Sequence, residues 1–219
     1  MKCTLLGENN NMSTTHDKLF DIHNYGCNTK TREIFLHNTY VSDENANPGV
    51  EYKMANTFLK NIRALEQENN NDIVIHMHSI GGEWSDGMAI FDAITMCKSH
   101  VSMIVYGQAE SMSSIILQAA DTRLMTPNSY FMSHFGSSDA SGHYLNVQNW
   151  IQYEKKLCDI MMNIYAERCI KGKYFKEQGW NITKVKNFLY RKMKNGDWYV
   201  DANDAVDYGF ADKVIKSWE

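Results

Sequence analysis

The chain has 219 residues, of which 43% are hydrophobic and 22% charged, and its formal net charge is −4. These values are typical of a globular protein and predict one main domain with a substantial core. The acidic balance argues against a nucleic-acid partner, and the apolar runs are shorter than the ~20 residues that span a bilayer. The five cysteines are scattered, and we see no signal-peptide pattern. Both features favour reduced thiols and a cytoplasmic location.

Residues 1–31 are polar and Asn-rich, which predicts a flexible N-terminal segment before a domain over residues 32–219. Short apolar and β-prone runs predict strands over residues 33–37, 73–78, 101–106, 130–134 and 213–215. Apolar residues at helical spacing predict helices over residues 54–65, 88–97, 114–120, 145–170 and 183–193. Near the end of the chain, Asp201 is expected to cap a short helix, with Asp204 at its third position and Gly209 as its stop.

Strand and helix alternate three times along the chain. Such alternation predicts an α/β domain with mostly parallel strands and right-handed crossovers. Functional residues in sheets of this kind gather at the carboxyl ends of the strands. Gly82, Ser111 and His134 each lie at the end of a predicted strand, and we therefore expect them to lie near one another.

Ser111 stands between a strand-like and a helix-like run, within the sequence GQAESMSS over residues 107–114. Unpaired amides and the positive end of the dipole at a helix start would stabilise an anion forming beside it. A serine hydroxyl is a weak nucleophile unless a base takes its proton, and the base must be held in the right tautomer. His134 is the candidate base. Asp197, on a turn before a β-prone run, is the candidate orienting acid.

The amides of Gly82 and Met112 are the candidate donors to an oxyanion, and losing one such donor typically costs ~2.7–4 kcal/mol of transition-state stabilisation. Each feature also has a simpler explanation. Ser111 would serve as a buried helix cap, the Gly81–Gly82 pair as a plain strand-to-helix turn, and Asp197 as a solvated turn residue. Their occurrence together favours a site for acyl transfer.

Two further histidines, His76 and His78, alternate on one predicted strand and are candidates for a pair of metal ligands. No third His, Cys or carboxylate stands at a convincing spacing, so we expect neither a metal nor a cofactor. The other histidines are interpreted as surface or structural residues. The methionines fall largely within apolar periods and are interpreted as core residues.

Four segments carry a resemblance to a known family: GQAESM at residues 107–112, SIGG at 79–82, PNSYFMSH at 127–134, and residues 197–212. In that order they resemble the nucleophile motif GQAASM, the loop SPGG, the histidine motif PNSxxMIH and the ending DRFLSAxEAxEYGLVD of the ClpP family. This family comprises the proteolytic subunits of the Clp protease, which are self-compartmentalising serine peptidases. The likeness covers roughly residues 32–216 in order and includes the family's first strand.

The resemblance implies a ClpP/crotonase-like α/β spiral of βαβ units, in which the helix over residues 145–170 is a protruding handle where two rings meet. It implies a serine-type endopeptidase in a homo-oligomer of stacked heptameric rings, fed with unfolded polypeptide by an AAA+ unfoldase. Neither a nucleic-acid nor a membrane partner is expected. The implied site residues are Ser111 as nucleophile, His134 as base, Asp197 as orienting acid, and Gly82 and Met112 as oxyanion donors.

The chain departs from the family pattern at Glu110, where the family has alanine, at Ser113, where it has glycine, and at Ile80, where it has proline. None of these changes removes a reacting group. The Asn- and Tyr-rich character resembles phage-encoded members, some of them linked to head maturation. Two alternatives stay open: a catalytically silent ring component that acts as scaffold or regulator, and a crotonase-like acyl-CoA enzyme, which would not need a serine nucleophile.

Overall fold

The computed structural model describes residues 15–36 and 49–217. The helices in these ranges are α1 (Thr15–Tyr25), α2 (Tyr52–Glu68), α3 (Trp84–Thr95), α4 (Met112–Leu117), α5 (Tyr144–Cys169), α6 (Lys173–Glu177), α7 (Ile182–Met193) and α8 (Ala202–Tyr208). The strands are β1 (Cys27–Asn28), β2 (Glu33–Leu36), β3 (Ile73–Ser79), β4 (Val101–Glu110), β5 (Thr122–Met125), β6 (Tyr130–Ser133), β7 (Trp198–Asp201) and β8 (Lys213–Val214). All of these strands belong to one sheet.

The sheet follows the order β1-β2-β3-β4-β5-β8. Neighbouring strands from β2 to β8 are parallel, whereas β1 pairs antiparallel with β2. Helices α2 and α3 connect successive parallel strands, as the alternating pattern predicts. The last residues of β4 also pair with β6, which in turn pairs antiparallel with β7, so these two strands branch from the main sheet. The α/β class predicted from the sequence is confirmed.

Helix α2 shows how the apolar pattern becomes a core. Of the five apolar residues that predict this helix, Leu59 is half-buried and the others are buried: Met54, Phe58, Ile62 and Leu65. Burial of an aliphatic or aromatic side chain of this size contributes about 1.5–3 kcal/mol. Most of the stability of such a helix therefore comes from the face that packs on the sheet and its neighbouring helices.

Helix α5 has two unlike halves. Its C-terminal half contributes buried residues to the core, namely Met161, Met162, Tyr165, Ala166 and Cys169. Its N-terminal half exposes apolar side chains, including Tyr144, Leu145, Trp150, Ile151 and Tyr153. Neither α5 nor any other helix in the described ranges is long and apolar enough to cross a membrane.

The fold adds elements that the sequence did not predict. Residues 15–28, within the segment predicted to be flexible, include α1 and β1, and β1 pairs Cys27 with Ile34 of β2. A strand of two residues is too short to show a hydrophobic period in the sequence. It forms by pairing with its partner strand, which the local sequence does not indicate. Residues 1–14 and residue 37, the predicted end of the first strand, lie outside the described residues. The domain boundary at residue 31 stays a prediction.

Candidate active site

Ser111 occupies a strained turn between β4 and α4. Its backbone has φ 51° and ψ −124°, a positive φ that residues other than glycine seldom adopt. The Ser111 amide donates a hydrogen bond of 2.9 Å to the carbonyl oxygen of Met132, which joins the turn to β6. The Ser111 side chain makes no capping hydrogen bond to α4. A role as helix cap therefore does not explain this residue.

An irregularity in β4 positions the end of this strand. The pairing of β3 with β4 shifts register between Met77 and Ser79, so that β4 carries extra residues in this interval. Gly107 lies in the extra stretch with φ +61°, and a Cβ there would meet the ring of His78 at 2.9 Å. Only glycine fits this position without rearrangement. The irregularity lets β4 continue past its predicted end and directly precede Ser111.

A chain of hydrogen bonds joins the three residues that the sequence predicts as reacting groups. His134 Nε2 lies 2.7 Å from Ser111 Oγ, and His134 Nδ1 lies 2.9 Å from Asp197 Oδ1. His134 directly follows β6, and Asp197 directly precedes β7. Because these strands are antiparallel, with Ser133 opposite Trp198, the two residues lie side by side. The side chains of His134 and Asp197 are 27% and 47% exposed, so solvent reaches the pair.

The glycine loop after β3 packs against the nucleophile turn. Gly81 and Gly82 have φ +89° and +150°, and a Cβ on Gly81 would lie 2.6 Å from Ser111 Cβ. Gly82 also forms an isolated bridge with Val50. Within the described residues, neither the Gly82 nor the Met112 amide donates a backbone hydrogen bond. Two free N–H groups therefore lie next to the serine, where an anion would be stabilised.

A cavity of about 480 Å³ opens beside Ser111 and His134. Its walls come from the glycine loop, the loop after β6, and α5. The apolar part of the lining includes Met112, Ile115, Phe135, Trp150, Leu157 and Met161. This volume lies within the ~300–1,000 Å³ of typical ligand pockets. The cavity can therefore hold a substrate side chain next to the serine.

Glu110 adds a second carboxylate to this region. It pairs with Met132 in the ladder between β4 and β6, which places it on the same face of the sheet as His134, two residues after Met132. Burial is the main cause that raises the pKa of Glu110, and the Asp197 charge raises it further, whereas His134 opposes the change. Ionisation of Glu110 is therefore less favourable in the folded than in the unfolded protein.

Replacing Glu110 by glutamine is expected to raise the melting temperature at about pH 7 but not at about pH 3. Because its pKa is higher in the folded than in the unfolded state, ionised Glu110 lowers stability above the folded-state pKa, and this cost vanishes below the unfolded-state pKa. The side chain is partly exposed, so the gain should stay below the ~2–4 °C that corresponds to 1 kcal/mol at this chain length. Thermal unfolding at both pH values tests this, and an equal gain at low pH would contradict it.

His76 and His78 occupy different environments. His76 is buried, with Nδ1 3.0 Å from the hydroxyl of Tyr106 and its ring stacked on Phe35 at 4.6 Å between centroids. His78 is exposed. In the part of the chain that the structure describes, no group of three or more His, Cys, Asp or Glu residues is arranged to hold a metal ion. His76 therefore belongs to a packed aromatic layer.

Sequence reasoning missed the residues that brace the glycine loop. The Val50 amide donates to Gly81 O at 2.6 Å, and Val50 O accepts from the Glu83 amide at 2.9 Å. On another side, Ser79 Oγ accepts a hydrogen bond of 2.7 Å from the hydroxyl of Ser113. The two serines stand within the motif segments, but their pairing depends on the fold. Nothing in the local sequence distinguishes Val50.

A serine, an imidazole and a carboxylate in series, beside two free amides at the end of a parallel strand, form the arrangement of a serine hydrolase. A family model described as Clp protease matches residues 28–218, and the chain belongs to the Clp protease family. It is 28% identical over 209 residues to an ATP-dependent Clp protease proteolytic subunit from Carsonella ruddii (strain PV), covering 92% of each chain. A protein of the same name from Deinococcus radiodurans is 31% identical over 169 residues, covering 76% of each chain. These similarities confirm the predicted resemblance and support a serine endopeptidase.

Proposed function

We propose that Ser111, His134 and Asp197 carry out the peptide hydrolysis of this Clp-family protease. The proposal rests on the two hydrogen bonds in series, 2.7 Å from Ser111 Oγ to His134 Nε2 and 2.9 Å from His134 Nδ1 to Asp197 Oδ1. With Asp197 accepting from Nδ1–H, the other ring nitrogen has a lone pair that faces the serine hydroxyl. This is the tautomer that a general base needs.

In the proposed reaction, Ser111 Oγ attacks the scissile carbonyl carbon while its proton passes to His134 Nε2. Collapse of the tetrahedral intermediate breaks the C–N bond, and the leaving amine takes that proton. A water molecule then attacks the acyl-enzyme ester, gives its proton to His134, and releases the carboxylate product with Ser111 restored. Asp197 stabilises the imidazolium in both halves and holds the ring in place.

Gly82 and Met112 would supply the amides that stabilise the oxyanion. Both N–H groups lie in segments that contact the nucleophile turn, and neither makes a backbone hydrogen bond within the described residues. Donors already held in place stabilise charge that develops in the transition state without reorganising. The substrate side chain next to the scissile bond would enter the adjacent cavity.

The assembly is also a proposal. Relatives named as ATP-dependent Clp protease proteolytic subunits suggest that this chain forms a homo-oligomeric chamber, with stacked heptameric rings and an AAA+ unfoldase that supplies unfolded polypeptide in the cytoplasm. The exposed apolar side chains in the N-terminal half of α5 suit a contact between rings. Electron microscopy of the purified protein tests this, because stacked seven-membered rings would support it and a monomer would contradict it.

A fluorophosphonate probe tests the proposed nucleophile. The probe should label the wild-type protein and not the Ser111→Ala variant, because only an activated serine reacts with it. Ser102→Ala is the matched control: Ser102 is a half-buried serine on the same strand, β4, near its other end. This variant should be labelled like the wild type.

Equal labelling of wild type and Ser111→Ala, or labelling of neither, would contradict the proposal. An oligomer that assembles but neither reacts with the probe nor hydrolyses peptides would favour the silent ring component. Binding of a CoA thioester without peptide hydrolysis would favour the acyl-CoA enzyme.

A further inference from the structure

One buried hydroxyl connects the two segments that carry the free amides. Ser79 Oγ accepts a hydrogen bond of 2.7 Å from the hydroxyl of Ser113 and another of 3.3 Å from the amide of Gly81. Ser79 is 2% exposed and Ser113 is fully buried. Gly81 immediately precedes Gly82, and Ser113 immediately follows Met112. The Ser79 oxygen thus joins the direct neighbours of both free amides.

The loop has no other hydroxyl contact in the described residues that would set this spacing. The Val50 backbone holds its outer side through hydrogen bonds to Gly81 O and from Glu83 N. On the inner side Gly81 packs directly on the nucleophile turn, where a Cβ would lie 2.8 Å from Met112 N. Packing limits how close the segments come, whereas the hydrogen bonds of Ser79 limit how far they separate.

We propose that Ser79 and Ser113 are positioning residues that fix the distance between the Gly82 and Met112 amides. This inference rests on the proposed function, in which those amides stabilise the oxyanion. Neither serine touches the reacting atoms. Loss of either hydroxyl removes no reacting group, but lets the glycine loop and the start of α4 move apart.

A displaced oxyanion donor affects the transition state more than the bound substrate, because the oxyanion forms only during the reaction. A shift of about 1 Å at a catalytic group can cost up to about 10²-fold in rate. We therefore expect Ser79→Ala and Ser113→Ala each to lower kcat roughly 10- to 100-fold, with KM changed less than about twofold. The double variant should lose no more than the more impaired single variant, because both substitutions break the same hydrogen bond between Ser79 and Ser113.

The experiment measures kcat per active site, KM and the inhibition constant of a peptide boronate on the assembled full-length protein. Titration of active sites with a fluorophosphonate corrects for any misfolded fraction. The boronate adduct of the serine places an oxygen in the oxyanion position, so its inhibition constant should rise by about the same factor as kcat falls. A general loss of folded protein would leave that constant unchanged. Ser129→Ala is the matched control, since Ser129 is 1% exposed and its hydroxyl donates a local hydrogen bond to Thr126 O.

Two outcomes would overturn the inference while leaving the proposed function intact. One is an active wild type whose Ser79→Ala and Ser113→Ala variants match Ser129→Ala in kcat and in boronate inhibition. Another is a double variant whose fold-loss in kcat equals the product of the two single losses. If Ser113→Ala fails to assemble, Ser113→Gly removes the same hydroxyl and is judged by the same criteria. A wild type that neither hydrolyses peptides nor reacts with the probe would instead contradict the proposed function.

Discussion

Ser111→Ala and His134→Ala are each expected to reduce kcat by roughly 10⁶-fold, and the double variant should be no slower than either single variant. The serine cannot attack without the imidazole that takes its proton, and the imidazole has no role in acylation without the serine. In the proposed mechanism, the 2.7 Å contact between them makes the two groups one functional unit. Hydrolysis of a fluorogenic peptide by the three variants, with protein concentrations checked by absorbance, measures the losses.

Asp197→Asn provides a graded comparison within the same site. Asparagine preserves the size of the side chain but removes the charge that stabilises the imidazolium, and a loss of up to about 10⁴-fold is expected. Because the Asp197 side chain is 47% exposed, solvent can replace part of the charge, and the loss should be smaller than for His134→Ala. Two results for the Ser111 and His134 variants would contradict the proposed triad. One is a double variant whose loss of kcat is the product of the two single losses, and the other is more than about 1% residual turnover in either single variant.

The elements that the sequence predicts well are those with a local cause. Helix α2 follows from an apolar stripe at helical spacing, and α8 from its end signals. The Asp201 side chain accepts hydrogen bonds from the amides of Asn203 and Asp204, and Gly209 ends the helix with φ 82°. Each of these signals lies within a few residues of the element that it defines, so the sequence alone is enough to detect it.

The sequence predicts the candidate reacting residues, but not how they are arranged in space. Ser111 and His134 stand at the ends of predicted strands, and sheet topology explains why they meet. Asp197 by itself has the appearance of a turn residue, and its contact with His134 depends on the antiparallel pairing of β6 with β7. The hydrogen bond between Ser79 and Ser113, residues 34 positions apart, has no periodic signature. Contacts between distant segments with unremarkable local sequence require the structure.

Arg123→Leu is expected to destabilise the folded chain by about 3–5 kcal/mol, because each buried acceptor left without its donor costs about 1–3 kcal/mol. The Asp212 carboxylate is 42% exposed, so losing its charged partner adds less. Arg123 is 5% exposed and lies on β5. Its guanidinium donates hydrogen bonds of 2.6 and 3.1 Å to the Asp212 carboxylate and of 2.8 Å to both Gln118 Oε1 and Gly209 O. Leucine would fill the space but leave these acceptors without their donor.

Thermal and denaturant unfolding measure this loss, which corresponds to roughly 6–20 °C in melting temperature at ~2–4 °C per kcal/mol. Arg191→Leu is the matched control. Arg191 lies on α7 and its side chain is exposed, so the same substitution should cost less than about 1 kcal/mol. Similar losses of stability in the two variants would show that burial of the Arg123 network does not determine how much it contributes to the free energy of unfolding.

The pH dependence of the Asp212→Asn variant tests the same ion pair through its acidic partner. Burial alone raises the pKa of Asp212, but the hydrogen bonds and charge of Arg123 outweigh burial, and the net pKa is lowered. A carboxylate with a lower pKa in the folded state stabilises the fold above its unfolded-state pKa, and this contribution is lost as the pH falls through the folded-state pKa. Asp212→Asn should therefore lower the melting temperature more at about pH 7 than at about pH 2. This difference should be absent when Arg123 is already leucine, and its persistence there would assign the pH dependence to another group.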